Sequence, residues 1–487
     1  MKSKYLLVVF LSVMLFGCEK LVEVSSPTTS ITDASVYEND ATAIAVLTRI
    51  YSTISNVSNT SVSFSILSLS LYAGLGADEL FVWDGVANST NLYQIMQYRF
   101  FRNDLIENSN FQSGGALWTP CYQLIYYCNQ AIERIGASTS LTPAVAQQLL
   151  GEAKFSRALC NFYLVNCFGG LPLVTNTDYQ NNALLAKSSS ETIYKQVKTD
   201  LKEAYTLLSA DYLDATLLTS SSERVRPTKW AAAALLARVS LYTSDWADAE
   251  TYASEVIAQN ALFDTVALDN VFLKNSKETI WALQPVITGW NTQDALNFII
   301  PATGFSLSTN NTMYINPDLL NSFSDDDGRK SHWLNKTNIS GTDYYYPYKY
   351  KSATQNAAVT EYPMMMRLGE QYLIRAEARA MLGKLSGDNS AASDLNVIRR
   401  RAGLASTDAT TQTSLMTAIQ HERRLELFTE LGHRWFDLKR WSIIDQVMTV
   451  MTPIKADGQS WQTYQQLYPI PNSNIEADPN LEQNTGY

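Results

Sequence analysis

Apolar residues recur at intervals of three and four along most of the chain, and the helices they predict set its frame. Trp118–Ile135 and Val145–Phe168 read as a helical hairpin, with Thr142 as cap and Pro143 opening the second helix, which stops at Gly169-Gly170-Leu171-Pro172. Asp33–Ile54 predicts a first helix, and Glu191–Leu208 an amphipathic one with Ile193, Val197, Leu201, Ala204 and Leu208 on one face. Thr228–Gln259 predicts two helices turning at Ser244-Asp245, where Ala231 to Ala234, Ala237, Ala249 and Ala253 allow close approach. The densest stretch is His421–Trp441: Phe428, Leu431, Trp435 and Leu438 share a face of one helix, or of two short ones joined at Gly432. Glu422, Glu426, Glu430, Arg423, Arg424, Arg434, Asp437 and Arg440 lie between them, with Glu430 to Arg434 in the favourable i,i+4 order. So many guanidinium forks beside carboxylates predict bidentate pairs to neighbouring segments.

Trp246 three before Ala249 is the tetratricopeptide turn arrangement, and Tyr372–Arg400 is a second partial match through Ala376, Ala380, Gly383, Ala391, Leu395 and Ile398. The period is imperfect, so the fold class is mainly α, a tetratricopeptide-like scaffold carrying a loop-rich, short-strand insertion. That insertion is Phe263–Pro363, rich in Asn, Thr, Gly, Asp and Tyr. A stretch of this length without long elements points to function. It holds Trp290, Phe305, Trp333 and the run Tyr344–Tyr350, in which Tyr344, Tyr346, Tyr348 and Tyr350 should share a strand face. Gly74–Asn91 reads as a loop holding Trp83 among Asp78, Glu79, Asp84, Asn88 and Asn91.

Composition is ordinary for a globular chain of 487 residues, 46% apolar and 17% charged. The net charge of −10 becomes −12 without Lys2 and Lys4, which excludes a phosphate-tracking nucleic-acid binder. Residues 1–17 carry a secretory signal: two lysines, the apolar run Leu6–Phe16, then Gly17. Leu15-Phe16-Gly17-Cys18 suits a lipoprotein signal peptidase, which would leave Cys18 as the lipidated first residue and a tether to residue 32. Cys121, Cys128, Cys160 and Cys167 fall in the hairpin helices, each pair seven apart, and are expected as buried thiols. No metal or cofactor is expected: Walker, GxGxxG, GxSxG and HExxH patterns are absent, and Asp325-Asp326-Asp327-Gly328 lacks the later glutamate of a calcium loop.

Glu152–Thr175, Leu117–Asn129, Glu422–Trp441, a helix over Met364–Ala380 and the ending Leu467-Tyr-Pro-Ile-Pro471 with Gln483-Asn-Thr-Gly-Tyr487 together resemble the SusD/RagB family of outer-membrane nutrient-binding lipoproteins. The resemblance implies an N-terminal helical region over 33–262, the insertion over 263–363 and a C-terminal region over 364–487, in one compact unit. It implies a lipid-anchored, surface-exposed protein of the outer membrane that captures oligosaccharide and delivers it, uncleaved, to a TonB-dependent SusC-like barrel. A peptide ligand, or an adaptor without a ligand of its own, are the alternatives. A sugar binder needs exposed rings for flat C–H faces and polar groups beside them. Trp118, Trp230, Trp246, Trp281, Trp435 and Trp441 sit in apolar patterns and are expected in the core. Trp83, Trp290 and Trp333 sit in polar loops and are expected to converge on one binding face with Asp78, Asn91 and Tyr345.

Overall fold

The computed structural model describes residues 36–487 except 57–64, 109–110, 114 and 309–310. The expected leader, Cys18, the tether and the helix start at Asp33 lie outside the described residues. The first half is built of α1 Asp40–Ser55, α2 Leu69–Gly76, α3 Leu92–Phe101, α4 Gly115–Ala137, α5 Pro143–Phe168, α6 Ser190–Leu207, α7 Lys229–Tyr242 and α8 Trp246–Ile257. The C-terminal part holds α9 Leu368–Met381, α10 Ala391–Arg401, α11 Gln412–Glu426, α12 His433–Arg440 and α13 Ile444–Lys455. From α4 to α10 each helix packs chiefly on the next, and α11 returns against α9. The fold is therefore mainly α, a succession of helix pairs.

Local chemistry explains the boundaries. Ser189 and Asp245 cap α6 and α8 by accepting from Thr192 N and Asp248 N. Thr142 stands at the start of α5 but makes no capping bond, and Pro143 alone marks the entry. Ala231 to Ala234, Ala237, Ala249 and Ala253 are all buried, and Ala237, Ala249 and Ala253 meet Ile374 and Ala378 of α9 where three helices converge. The four cysteines are buried and unbridged between α4 and α5.

Among the described residues four short antiparallel pairs complete the molecule, one of them the two-residue pair of Glu107–Asn108 with Phe111–Gln112. β1 Leu80–Val82 pairs with β3 Met313–Ile315, β2 Thr279–Ala282 with β6 Met364–Arg367, and β4 Leu334–Ile339 with β5 Thr342–Pro347. Met364–Arg367, expected as helix, is thus a strand buried along its whole length. An apolar run without alternation carries no period to distinguish the two. Of the tryptophans expected in the core, Trp118, Trp230, Trp281 and Trp435 are buried, while Trp246 and Trp441 are half-buried.

The charged stretch is two helices. Thr429, Leu431 and Gly432 all take positive φ between α11 and α12, a conformation that glycine alone adopts without cost. This break separates Glu430 from Arg434, so the expected i,i+4 pair does not form. Glu430 instead accepts from Arg367 and Lys349, and Arg434 grips Asp78 through two bonds of 2.7 and 2.8 Å. Glu426 is fully buried among Arg329, Arg367 and Arg401. Burial alone would raise its pKa, but Arg401, Arg367 and Arg329 hold the carboxyl well below the usual range. Arg423 and Arg440 share Asp437, and Arg440 also binds Glu377 of α9. Asp327, from the acidic turn, is spent on Arg329.

Two outcomes follow for stability. Glu426→Ala removes the carboxylate that Arg329, Arg367 and Arg401 share, leaving them on Asp327, Glu422, Glu430 and Glu278, and losing one partner of a buried pair costs about 3–5 kcal/mol; the melting temperature by circular dichroism should fall sharply, and an unchanged melt refutes the network. Glu79 is buried and pushed up to about 8 from 4.5 by burial and then by the charge of Asp78. The folded state therefore keeps a proton that the unfolded chain releases, and this contribution is lost as pH rises from about 4.5 through 8. Glu79→Gln should gain stability relative to the wild type between pH 5 and pH 8 in parallel thermal melts. A constant difference across that range contradicts the protonated carboxyl.

Candidate functional site

β1 and β3 are joined in the register Leu80↔Ile315, Phe81↔Tyr314 and Val82↔Met313. Leu80, Val82, Met313 and Ile315 point into the core, and alternation turns Phe81, Tyr314 and the following Trp83 outward. Tyr344 of β5 lies beside β3 with its ring 5.1 Å from that of Tyr314. Phe305 closes the group: it stacks on Trp83 at 5.7 Å and 14°, and meets Tyr344 edge-on at 4.9 Å. All five rings are half-buried, so each shows part of a face or edge to solvent. Together they form a continuous aromatic pad.

The backbone holds the pad in place. Trp83 N donates to Thr312 O at 2.7 Å, and the Thr312 hydroxyl donates to Gln97 of α3. Gln94 donates to Leu307 O, anchoring the segment that carries Phe305. Behind Trp83 the chain makes a 3-10 turn, Asp84–Asn88, and the indole lies flat on Gly85. A Cβ there would sit 2.2 Å from the ring, so the glycine lets Trp83 lie down. Burial and then the charge of Asp84 push the Tyr314 phenol up to about 12, so it stays neutral and able to donate.

Of the six residues read from the sequence as binding residues, Trp83 is in the pad. Trp333 is fully buried, donates to Leu268 O and is surrounded by Lys349, Arg401 and Arg367, so it belongs to the core. Asp78 is likewise withdrawn from solvent: Arg434 and Arg424 hold it, with its carboxyl far below the usual range despite burial. Both corrections have one cause, since polar neighbours in sequence say nothing about partners met through the fold, 356 residues away for Asp78 and 65 for the Trp333 indole N–H. Tyr345 faces away from Tyr344 by strand alternation, with Lys336 over its ring. The expected common face breaks down along the run, where Tyr346 and Tyr350 are buried. Asn91 is exposed, and its side-chain oxygen caps α3 by accepting from Tyr93 N. Trp290 is half-buried in a turn tied to Asn356, and no ring contact joins it to the pad.

The pad rings that sequence reading missed are Phe81 and Tyr314; it marks Phe305 and Tyr344 in the insertion without assigning them to the binding face. The alternations Leu-Phe-Val-Trp and Met-Tyr-Ile mark two outward aromatics, but only the pairing brings them together. A larger cleft of about 370 Å³ lies between α1 and residues 213–226. It is lined chiefly by aliphatic groups, and its buried Arg226 and Tyr51 are spent on Glu152. Among the described residues no cluster of His, Cys, Asp and Glu could hold a metal ion. The pad can stack flat apolar faces and offer the Tyr314 and Tyr344 hydroxyls at its margin.

Comparison with known proteins gives this geometry its setting. Residues 334–487 match the family model described as the SusD family, and residues 77–241 match one described as starch-binding associating with outer membrane. A SusD-like protein P25 of Formosa agariphila is 25% identical, with 98% of each chain covered. Among solved structures, a surface glycan-binding protein A from Bacteroides uniformis shares the fold with a TM-score of 0.75 at 21% identity, covering 92% of this chain and 99% of its own. A laminarin-binding SusD-like protein does so with 0.73 at 20%, over 92% and 99%. The two matched regions do not overlap and together span more than half of the chain, and the helix-pair fold runs through both: the chain belongs to the SusD/RagB family.

Proposed function

We propose that this protein captures oligosaccharide on the pad of Trp83, Phe305, Tyr314, Tyr344 and Phe81 and delivers it, uncleaved, to a SusC-like, TonB-dependent barrel of the outer membrane. The observation that carries the reading is the pad: five half-exposed rings on one face, contributed by three strands and a loop. Pyranose rings present flat C–H faces ringed by hydroxyls, and stacked rings with phenols beside them answer both features. The family description, starch-binding and outer-membrane association, and solved relatives named for glycan and laminarin binding support a glycan over a peptide. Surface attachment rests on Cys18 after Gly17 at the end of the apolar leader. Among the described residues no helix is long and apolar enough to cross a membrane.

Affinity electrophoresis of the soluble form from Glu19 against a polysaccharide panel tests capture. Retardation without product is expected, whereas released sugar would identify an enzyme. Stacking on one ring contributes on the order of 1 kcal/mol beyond area burial, which is about fivefold in affinity. Trp83→Ala and Phe305→Ala should each weaken binding at least that much in calorimetric titration, with the fold retained in the melting curve. Wild-type affinity in both variants removes the pad from the mechanism. Anchoring is tested separately: Cys18→Ala should move the protein from the outer-membrane fraction to the soluble one, and a variant that still pellets at high salt excludes the lipid anchor.

A further inference from the structure

On the far side of the Asp84–Asn88 turn from the pad lies a pocket of about 230 Å³, walled by Val86 and Ser89 of that region and by Tyr98, Arg99, Arg102 and Asp104 at the end of α3. Pad and pocket share that turn: Trp83 stands at its start, and Val86 within it walls the pocket. Phe81 of the pad and Tyr98 of the pocket both pack on the buried ring of Phe101, at 5.6 and 6.4 Å, so the two rest on one core side chain.

The recess is furnished with donor–acceptor pairs. Arg99 Nη1 lies 2.5 Å from Asp104 Oδ2, with 32% and 42% of the two side chains exposed. Arg102 lies flat over the Tyr98 ring at 5.3 Å, bonds its hydroxyl at 3.2 Å, and pairs with Asp457, which is 84% exposed. A pair as exposed as Arg99–Asp104 contributes little to stability, so the fold has small need of it. Each pair sets a cationic donor beside an anionic acceptor, the complement of two adjacent hydroxyls, of which one accepts and the other donates. Two arginines against two aspartates leave no net charge to attract an anion.

We infer that this pocket is a second sugar subsite, which takes a neutral, hydroxyl-rich pyranose of the same chain whose neighbouring residue stacks on the pad, and reads its adjacent hydroxyls through Arg99–Asp104 and Arg102. The inference rests on the pad reading and extends it. The ligand is then an oligosaccharide, held by its apolar faces at one end and by its hydroxyl pattern at the other. Stacking tolerates many sugars; the pocket discriminates among them.

The test uses a ladder of oligosaccharides, from monosaccharide upward, cut from the polysaccharide that the electrophoresis panel retains. In calorimetric titration, wild-type affinity should rise with length past the shortest ligand that covers the pad. Arg99→Met and the more conservative Asp104→Asn should abolish most of that rise, costing fivefold or more on long ligands and little on short ones, with melting curves near the wild type. Trp83→Ala should weaken every length. If the pocket variants keep the wild-type length dependence while Trp83→Ala still weakens binding, the subsite is refuted and the pad stands. If Trp83→Ala has no effect, or no polysaccharide is retained, the pad reading fails and the subsite with it. Affinity should also be insensitive to added salt, since a steep loss belongs to an anionic ligand and would overturn the neutral class.

Discussion

The structure depends on one buried carboxylate surrounded by cations. Glu426 sits at the end of α11, where Arg329 arrives from the insertion, Arg367 from β6 and Arg401 from α10. A charge buried there would be prohibitive alone, and the three guanidinium groups, each also paired to Asp327, Glu430 or Glu278, would be left with too few carboxylates without it. Each is tolerable only when all the segments have docked, so the cluster specifies an arrangement more than it stabilises one. Glu430 extends it to Lys349, whose ammonium group also caps Glu426 O and Phe428 O. The chain directly after β5, which carries Tyr344, is thereby fixed to the C-terminal helices.

The same logic reaches the other side of the pad. Asp78 stands two residues before the start of β1 and is clamped by Arg434 of α12 and Arg424 of α11. Both strands beneath the rings are therefore referenced to one rigid body, through β1 on one side and the β5 end on the other. Rings that differ by an ångström in position lose a flat ligand, and a site on loops needs such external fixing. The helical layer supplies rigidity, and the ion pairs transmit it.

The helices were legible because their information is local: periods, caps and small residues at close crossings can be read within a window of a few turns. The break inside His421–Trp441 was open to two readings, and only the positive φ values at Thr429, Leu431 and Gly432 decide between them. The pad was legible in part. Trp83 stood out as a large ring among polar residues, and Trp333 stood out for the same reason although it is core. What separates them is partners 16 to 68 residues away, beyond any one local pattern: Leu268 O and three cationic side chains around Trp333, against an outward position just after β1 for Trp83. Phe81 and Tyr314 lie more than 200 residues apart, and no local pattern records their pairing.

That separation shapes how the protein comes to life. Asp78 finds Arg434 across 356 residues, and β1 finds β3 across more than 200. Contacts of such range form late, after the loop they close has been ordered by nearer ones. A chain emerging N-terminus first presents Trp83 early, yet has no pad until the final helices have emerged and folded. Binding competence thus belongs to the finished molecule: a chain truncated before α12 can contain every pad ring and still lack Arg434, the bidentate half of the clamp that holds Asp78 before β1.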